Sequence, residues 1–293
     1  MTVTETALRH SAEALAERMP ALLVAAQRIA VTVELGVHGR RRVGQGETFW
    51  QFRRYEPGDP TNKIDWRQSA KSDPVFVREN EWAAAQSVWL WCDRSPSMRY
   101  RSHRNLPEKA EQAELLTLAL AIMLLNAGER VALLGSGARP SAGHRAAERL
   151  AHQMLRPEAG ATSLPPAIPL PRHAELVLVG DFLSPLPEIE RQLAAFAEMG
   201  VHGHLLQLLD PAEESLPFLG RIRFSGLEAE GETLLSRVET VRLDYQERLK
   251  RHCDGLAAIA RAFGWSFAAT ATDRSPQSAL LALYLRLSAG SRR

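Results

Sequence analysis

The sequence predicts an α/β protein built on a doubly wound, mostly parallel sheet. Three observations support this prediction. Strand-like apolar runs alternate with helical segments from residue 87 onward, the run SVWLWC at 87–92 is apolar on both faces, and 45% of the 293 residues are hydrophobic. Strands that are buried on both faces and separated by helices are typical of a parallel sheet that helices cover on two sides.

The first 82 residues differ in character from the rest. Two helical stretches come first, at about 5–18 and 21–30, and residues 36–82 then contain glycines that interrupt short segments rich in Phe, Trp, Tyr and Val. Such a composition indicates loops and short strands. We therefore predict an N-terminal helical segment over 1–35, an elaboration of short strands over 36–82 that packs beside the sheet, and a main domain over 83–290.

Within the main domain, strands and helices follow each other in regular order. The predicted strands cover 87–93, 131–137, 174–181, 202–210 and 266–272. The predicted helices cover 106–126, 142–155, 186–200, 238–263 and 275–288. One probable hairpin, near 221–237, interrupts the alternation as an insertion.

The charge balance excludes a strong electrostatic pull toward nucleic acid or an anionic membrane. The chain has 36 basic and 34 acidic residues, a net charge of +2. The local arginines at 40–42, together with Arg53 and Arg54, are interspersed with acids and are interpreted as a solvated face. Nucleic-acid binding through residues 40–42 is a minor alternative, and we expect no nucleic-acid partner.

The cysteines and the apolar runs favour a soluble, cytoplasmic protein. Cys92 lies in an apolar strand and Cys253 in a helical pattern, so neither indicates a disulfide framework or a zinc site. The N-terminus lacks the apolar core of a signal peptide. The most apolar run, 115–127, is shorter than the roughly 20 residues that a membrane span needs. His202 and His204 lack a third ligand and are predicted to be surface histidines.

Oxygen-bearing side chains follow two of the predicted strands. Asp93 closes the first strand and begins the alternation Asp93, Ser95, Ser97, and Asp181 closes the strand in VLVGD. In open parallel sheets, ligands gather at the carboxyl ends of strands near the reversal of strand order. Hydroxyl and carboxylate oxygens suit Mg²⁺, Mn²⁺ or Ca²⁺. The alternative is an ordinary helix cap and turn.

DRSPSM resembles the metal-ion-dependent adhesion motif of von Willebrand factor A domains. That resemblance implies a threonine from a second loop and an aspartate from a third. Thr162 in GATSL and Asp181 fit these positions, although Ser163 is adjacent to Thr162. The resemblance thus implies a Mg²⁺ site, or one for Mn²⁺ or Ca²⁺, with one position open to a partner's carboxylate, formed by Asp93, Ser95, Ser97, Thr162 and Asp181. It also implies a von Willebrand factor A-like, Rossmann-type layering for 83–290.

A second resemblance lies in the block 46–73, which is similar to the signature of a bacterial domain-of-unknown-function family, family fifty-eight. The matching elements are Arg54, Tyr55, Pro57, Gly58, Asp59, Ile64, Asp65, Trp66, Ser69, Ala70 and Lys71. The likeness runs from about residue 20 to the end. Members are commonly encoded beside MoxR-type AAA+ ATPases, which implies a binding or assembly role with such an ATPase or its client. The block itself either supports the fold or docks a partner.

We therefore predict a non-enzymatic interaction module that binds a partner's carboxylate through a divalent cation. The alternative is a metal-dependent hydrolase or phosphatase with Asp93 as nucleophile or ligand. Such enzymes need a general acid two residues further on and a lysine that holds the phosphate. Position 95 is a serine, and the sequence places no lysine near Thr162 or Asp181. The oligomeric state stays open.

Overall fold

The computed structural model describes residues 22–33, 49–55, 64–71, 74–80, 86–156, 162–228 and 231–290. The predicted helix at 5–18 and the arginines at 40–42 lie outside these ranges. The chain divides into two compact units, one formed by 1–36 with 86–293 and the other by 37–85.

The elements in chain order begin with helix α1 over 22–33. The smaller unit contains β1 (Phe49–Arg54), α2 (Trp66–Ser69) and β2 (Phe76–Asn80). The larger unit continues with β3 (Ser87–Cys92), α3 (Lys109–Asn126), β4 (Arg130–Leu133), α4 (His144–Leu155), β5 (Glu175–Gly180) and α5 (Leu186–Glu198). It ends with β6 (His202–Leu209), α6 (Pro211–Ser215), β7 (Ile222–Ser225), β8 (Glu232–Leu235), α7 (Arg242–Ala262), β9 (Ser266–Ala271) and α8 (Pro276–Gly290).

The smaller unit contains a two-stranded antiparallel sheet of β1 and β2. The hydroxyl of Ser69 ties α2 to this sheet, because it donates to Asp65 O at 2.8 Å and accepts from Phe76 N at 2.8 Å. Short strands were predicted for this region. The predicted packing of the region beside the main sheet stays a prediction.

A parallel sheet forms the centre of the larger unit. Among the described residues, five strands pair in the order β4-β3-β5-β6-β9, and each pair is parallel. The strand order reverses at β3, since β4 lies on one side of it and β5 on the other. The predicted α/β fold with a parallel sheet is therefore confirmed, and the reversal places the loops after β3 and β5 side by side.

Helices cover both faces of this sheet. One core cluster joins Trp91 and Leu178 of the strands to Phe196 of α5 and Leu256 of α7. On β5, the residues that alternate with Leu178, such as Val177, are fully buried as well. The helix α3 packs against β3, β4 and β5 and also against α4 and α8. Every residue of β5 is buried, as expected for a central strand between two helical layers.

The element boundaries differ from the prediction where local chemistry ends a segment early. The strand predicted over 131–137 ends at Leu133, because Gly135 and Gly137 adopt positive φ angles of 84° and 69° that an extended strand cannot contain. Helix α3 begins at Lys109 and not at residue 106, since Glu108 and Glu111 form a capping box there.

The predicted hairpin within 221–237 is the antiparallel pair β7 and β8. Among the described residues, no helix combines the length and the hydrophobicity needed to cross a bilayer.

Candidate functional site

The first residue after β3, Asp93, is fully buried. Its backbone N–H donates to Val179 O at 2.8 Å, so the pairing with β5 continues one residue past the strand. Its Oδ1 accepts the N–H of Ser95 at 2.9 Å, which forms the Asx turn that starts the next loop. Its Oδ2 is buried and has no hydrogen-bond partner among the residues that the structure describes. Such an unsatisfied carboxylate oxygen is costly and calls for an explanation.

The two serines of the motif contact each other, and Ser97 contacts Asp181. Ser95 Oγ lies 3.0 Å from Ser97 Oγ, and Ser97 Oγ donates to Asp181 Oδ2 at 2.9 Å. A single 3-10 turn, Pro96–Met98, holds the serines in place, and the side chain of Met98 anchors the turn because it is fully buried. The loop after β3 is therefore fixed by packing as well as by hydrogen bonds.

Asp181 follows β5 directly and is also buried. Its Oδ1 accepts the N–H of Leu183 at 3.3 Å, and its carbonyl accepts Gln207 Nε2 at 2.9 Å. The last residue of β5, Gly180, allows the two aspartates to approach each other. A Cβ atom at Gly180 would lie 2.8 Å from the Cβ of Asp93, closer than real Cβ atoms approach.

Lys109, the first residue of α3, enters the same cluster. Its side chain is fully buried, and Nζ lies 2.9 Å from Asp181 Oδ2 and 2.6 Å from Glu213 Oε1. The sequence-based expectation that no lysine lies near Asp181 is therefore wrong. A lysine in the first turn of a helix opposes the helix dipole, and here it precedes an apolar helix. That combination was the available signal for a functional position.

The loop after β6 supplies a third aspartate and the second acid that binds Lys109. Asp210 uses both carboxylate oxygens structurally, accepting Ala212 N at 2.8 Å and Ser102 N at 2.9 Å. Glu213 Oε2 in turn accepts the N–H of Asp210 at 2.8 Å and completes a capping box for α6. Neither residue is among the predicted site residues, although Asp-Pro-x-Glu after a buried strand is a recognisable helix start.

The electrostatics of the cluster follow from burial. Burial, followed by the nearby charge of Asp181, raises the pKa of Asp93 to about 7. Burial by itself lowers the pKa of Lys109, but Asp181 and Glu213 outweigh it, so the pKa rises and the amine stays charged. Lys109 is paired with Asp181 and Glu213 but not with Asp93, so the cluster carries excess negative charge when all three carboxylates are ionised.

Thr162 does not join this cluster by a hydrogen bond. It is exposed, and its Oγ1 donates to Leu164 O at 2.8 Å within its own loop. The neighbouring Ser163 Oγ lies 3.0 Å from Ser184 Oγ, so the Thr162 loop does contact the loop that follows β5. The structure therefore brings Asp93, Ser95, Ser97 and Asp181 together and places Thr162 in an adjoining loop.

The oxygens at this edge are all hard donors, which suit Mg²⁺, Mn²⁺ or Ca²⁺. Within the described part of the chain, no three His, Cys, Asp or Glu side chains are grouped to hold an ion. A cation here would therefore need the hydroxyls of Ser95 and Ser97 in addition to the carboxylates.

A second buried polar cluster lies at the opposite, amino-terminal edge of the sheet. His204 Nε2 lies 3.1 Å from Glu175 Oε2, and its Nδ1 lies 2.8 Å from Ser266 Oγ. Glu175 opens β5 and Ser266 opens β9. His204 is buried, so the prediction of a surface histidine is wrong at this position, whereas His202 is exposed.

The fold and the site define an α/β protein with a parallel sheet and a charged cluster at the reversal of strand order. Within that class, the sequence matches the family described as "Protein of unknown function DUF58" over residues 51–254, and the chain belongs to this family. The match is narrower than the resemblance from about residue 20 onward had suggested.

The chain is also similar to individual proteins. Uncharacterized protein Rv1480 of Mycobacterium tuberculosis and Uncharacterized protein Mb1516 of Mycobacterium bovis are each 25% identical to it over 246 residues, 79% of this chain and 76% of theirs. The crystal structure of conserved hypothetical protein BatB from Bacteroides thetaiotaomicron covers 71% of this chain and 100% of its own, at 17% identity and a TM-score of 0.41.

Proposed function

We propose that the chain is a non-enzymatic interaction module that binds an acidic side chain of a partner protein through a divalent cation. The residues that would hold the cation are Asp93, Ser95, Ser97, Thr162 and Asp181. Mg²⁺ suits this donor set, and Mn²⁺ or Ca²⁺ are the alternatives. The observation that carries the proposal is the buried Oδ2 of Asp93, which has no hydrogen-bond partner in the described part of the chain.

The charge of the cluster supports the same proposal. Buried carboxylates are stable only when they are paired or hydrogen-bonded. Lys109 contacts Asp181 and Glu213, whereas Asp93 receives one backbone N–H and no ammonium group. A cation beside Asp93 and Asp181 would offset the repulsion between these two carboxylates. When bound, it would also offer an open coordination position to an oxygen from outside the chain.

The protein's own residues would then orient the contact. Ser95 and Ser97 lie on a turn fixed by the buried Met98, and Gly180 keeps Asp93 and Asp181 close. A carboxylate of a partner's Asp or Glu is the ligand that matches an open position on a hard cation. The partner that we propose is a MoxR-type AAA+ ATPase or its client, and this part rests on the resemblance of the block 46–73 alone.

Affinity capture tests the proposal. Tagged wild-type chain, Ser95→Ala and Ser136→Ala would be compared with magnesium and with excess chelator, and the MoxR-type ATPase would be quantified in each eluate. Ser136 is the matched control, since it lies outside the proposed ligand set and its hydroxyl donates to Leu133 O in the loop after β4. We expect wild type and Ser136→Ala to capture the ATPase in magnesium but not in chelator, and Ser95→Ala to capture it in neither. Equal capture in chelator would contradict the proposal.

One observation favours the alternative of a metal-dependent hydrolase or phosphatase. Lys109 supplies the lysine near Asp181 that the sequence had not revealed. Position 95 nevertheless lacks a general acid, and the ammonium of Lys109 is already paired with two carboxylates, which disfavours its use for holding a phosphate group. Turnover of phosphate monoesters with Mg²⁺ that disappears in Asp93→Asn would establish the alternative.

A further inference from the structure

Lys109 places a positive charge against one of the proposed cation ligands. Its Nζ lies 2.9 Å from Asp181 Oδ2, the same oxygen that accepts the hydroxyl of Ser97. The lysine is fully buried, so its charge is screened much less than that of a surface lysine. The inference that follows rests on the function proposed above, and it concerns how the chain's own amine controls that site.

The second acid that contacts Lys109 is held in place independently of the site. Glu213 Oε2 accepts the N–H of Asp210 at 2.8 Å, and the backbone carbonyl of Glu213 accepts the hydroxyl of Tyr245 at 2.8 Å. Its Oε1 lies 2.6 Å from Lys109 Nζ. Glu213 is therefore a fixed acceptor that can keep the amine paired if the amine leaves Asp181.

We propose that Lys109 is a tethered cation that competes with the divalent ion for Asp181 and thereby sets the affinity of the site. In the ion-free protein, the amine bridges Asp181 and Glu213 and reduces the repulsion among the buried carboxylates. Binding of a divalent ion requires the amine to give up Asp181 and to remain on Glu213. The amine that remains on Glu213 still repels the nearby divalent ion, and at an effective dielectric constant of about 20 this repulsion weakens binding by at least about tenfold.

The competition predicts opposite effects for two substitutions. Lys109→Met removes the charge but keeps an unbranched apolar chain, so it should bind Mg²⁺ or Mn²⁺ at least about tenfold more tightly than wild type. Glu213→Gln preserves an oxygen for Asp210 N but weakens the second acceptor, so the amine stays on Asp181 and binding should weaken. A purely structural role for Lys109 predicts instead that Lys109→Met lowers affinity and stability together.

The experiment is calorimetric titration of the full chain with MgCl₂ or MnCl₂, alongside thermal unfolding in chelator. The control is Lys250→Met, which removes an exposed lysine from α7 and should leave the affinity unchanged. We expect Lys109→Met to unfold at a lower temperature in chelator and yet to bind the ion more tightly. If Lys109→Met fails to fold, the weakening of binding in Glu213→Gln carries the test.

The outcomes separate this inference from the proposed function. Binding in wild type with unchanged or weaker affinity in Lys109→Met, or with unchanged affinity in Glu213→Gln, would overturn the competition and leave the cation site standing. Binding in Lys109→Met but not in wild type would support the competition in its strongest form. Binding by none of the folded variants would overturn both.

Discussion

The two ends of the central sheet solve the problem of buried polar groups in different ways. At the amino-terminal edge, Glu175, His204 and Ser266 hydrogen-bond to one another, and none of them leaves a buried atom without a partner. At the carboxyl edge, Asp93 leaves one buried oxygen unpaired beside a second carboxylate, that of Asp181.

The difference separates a structural network from a candidate site. A complete network fixes neighbouring strands to each other and offers nothing to a ligand. A network with an unpaired buried group lowers the stability of the fold, and a bound ion or partner that pairs with this group can restore the lost stability. Variants at the two edges should therefore differ in one measurable respect: only those at the carboxyl edge should change the response to a divalent cation.

The largest effect is expected for Asp93→Asn. The amide oxygen can still accept Ser95 N–H, while the charge that opposes burial disappears. The pKa of Asp93 rises from 3.8 to about 7 on folding. The ion-free fold is therefore unaffected at low pH, where Asp93 is protonated in both states, and it is destabilised increasingly between about pH 4 and pH 7, where only the unfolded chain ionises freely. That shift corresponds to at most about 4 kcal/mol.

In chelator at pH 8, Asp93→Asn should therefore unfold at a higher temperature than wild type, by about 2–4 °C per kcal/mol recovered. The difference should vanish near pH 4. Magnesium should stabilise wild type and leave the variant unchanged. Thermal unfolding across pH, with and without magnesium, measures the difference at pH 8, its disappearance near pH 4 and the effect of magnesium. If magnesium still stabilises Asp93→Asn, the carboxyl edge does not differ from the amino-terminal edge in the way proposed.

The next effect in size is expected for Gly203→Ala, near the amino-terminal edge. An added Cβ would lie 1.9 Å from the ring of Trp265, which is buried and donates to Val201 O. Overpacking of this kind costs about 3 kcal/mol. Denaturant unfolding should show the loss, and the increment in stability from magnesium should stay equal to that of wild type.

Gly180→Ala is the matched change at the carboxyl edge, because its Cβ would lie 2.8 Å from the Cβ of Asp93. Gly180→Ala should have a lower free energy of unfolding than wild type, and adding magnesium should not raise it. Equal magnesium increments in Gly180→Ala and Gly203→Ala would show that Gly180 only shapes the core.

A smaller loss is expected for His204→Leu. The substitution keeps an apolar body of similar size but leaves the Glu175 carboxylate buried without its partner. Leaving such a group unsatisfied costs about 1–3 kcal/mol. Unfolding in denaturant measures the loss, and Glu175→Gln combined with His204→Leu should recover part of it. A changed magnesium response in His204→Leu would mean that the two edges are coupled.

The fold could be predicted because its signals are local. Apolar runs of strand length, helical periodicity and the glycines between them identify the order of elements, and Asp93 and Asp181 are found where strands end. The packing of Lys109 and Glu213 could not be predicted, because 104 residues separate them and their meeting depends on the strand order. His204 had a usable signal that was overlooked: the leucines at 205, 206, 208 and 209 lie on both faces of β6, which indicates a strand that is buried on both sides, so a polar residue within it is buried as well.

The smallest effect on stability, and the finest test of the site, concerns Thr162. Its side chain is exposed and donates only to Leu164 O, so Thr162→Ala should change the free energy of unfolding in chelator by no more than about 0.5 kcal/mol. If Thr162 contributes a ligand, as its place in the motif predicts, the same variant should weaken magnesium binding severalfold in a calorimetric titration.

Ser163→Ala is the control, because Ser163 pairs with Ser184 and not with the cluster. In the reverse result, Ser163→Ala binds magnesium more weakly and Thr162→Ala binds it as tightly as wild type. That result would identify Ser163 as the ligand, and the proposed site would otherwise stand. Unchanged binding in both variants would reduce the protein ligands to Asp93, Ser95, Ser97 and Asp181. The ion that meets the partner's carboxylate would then be held by the loops after β3 and β5 alone, without the Thr162 loop.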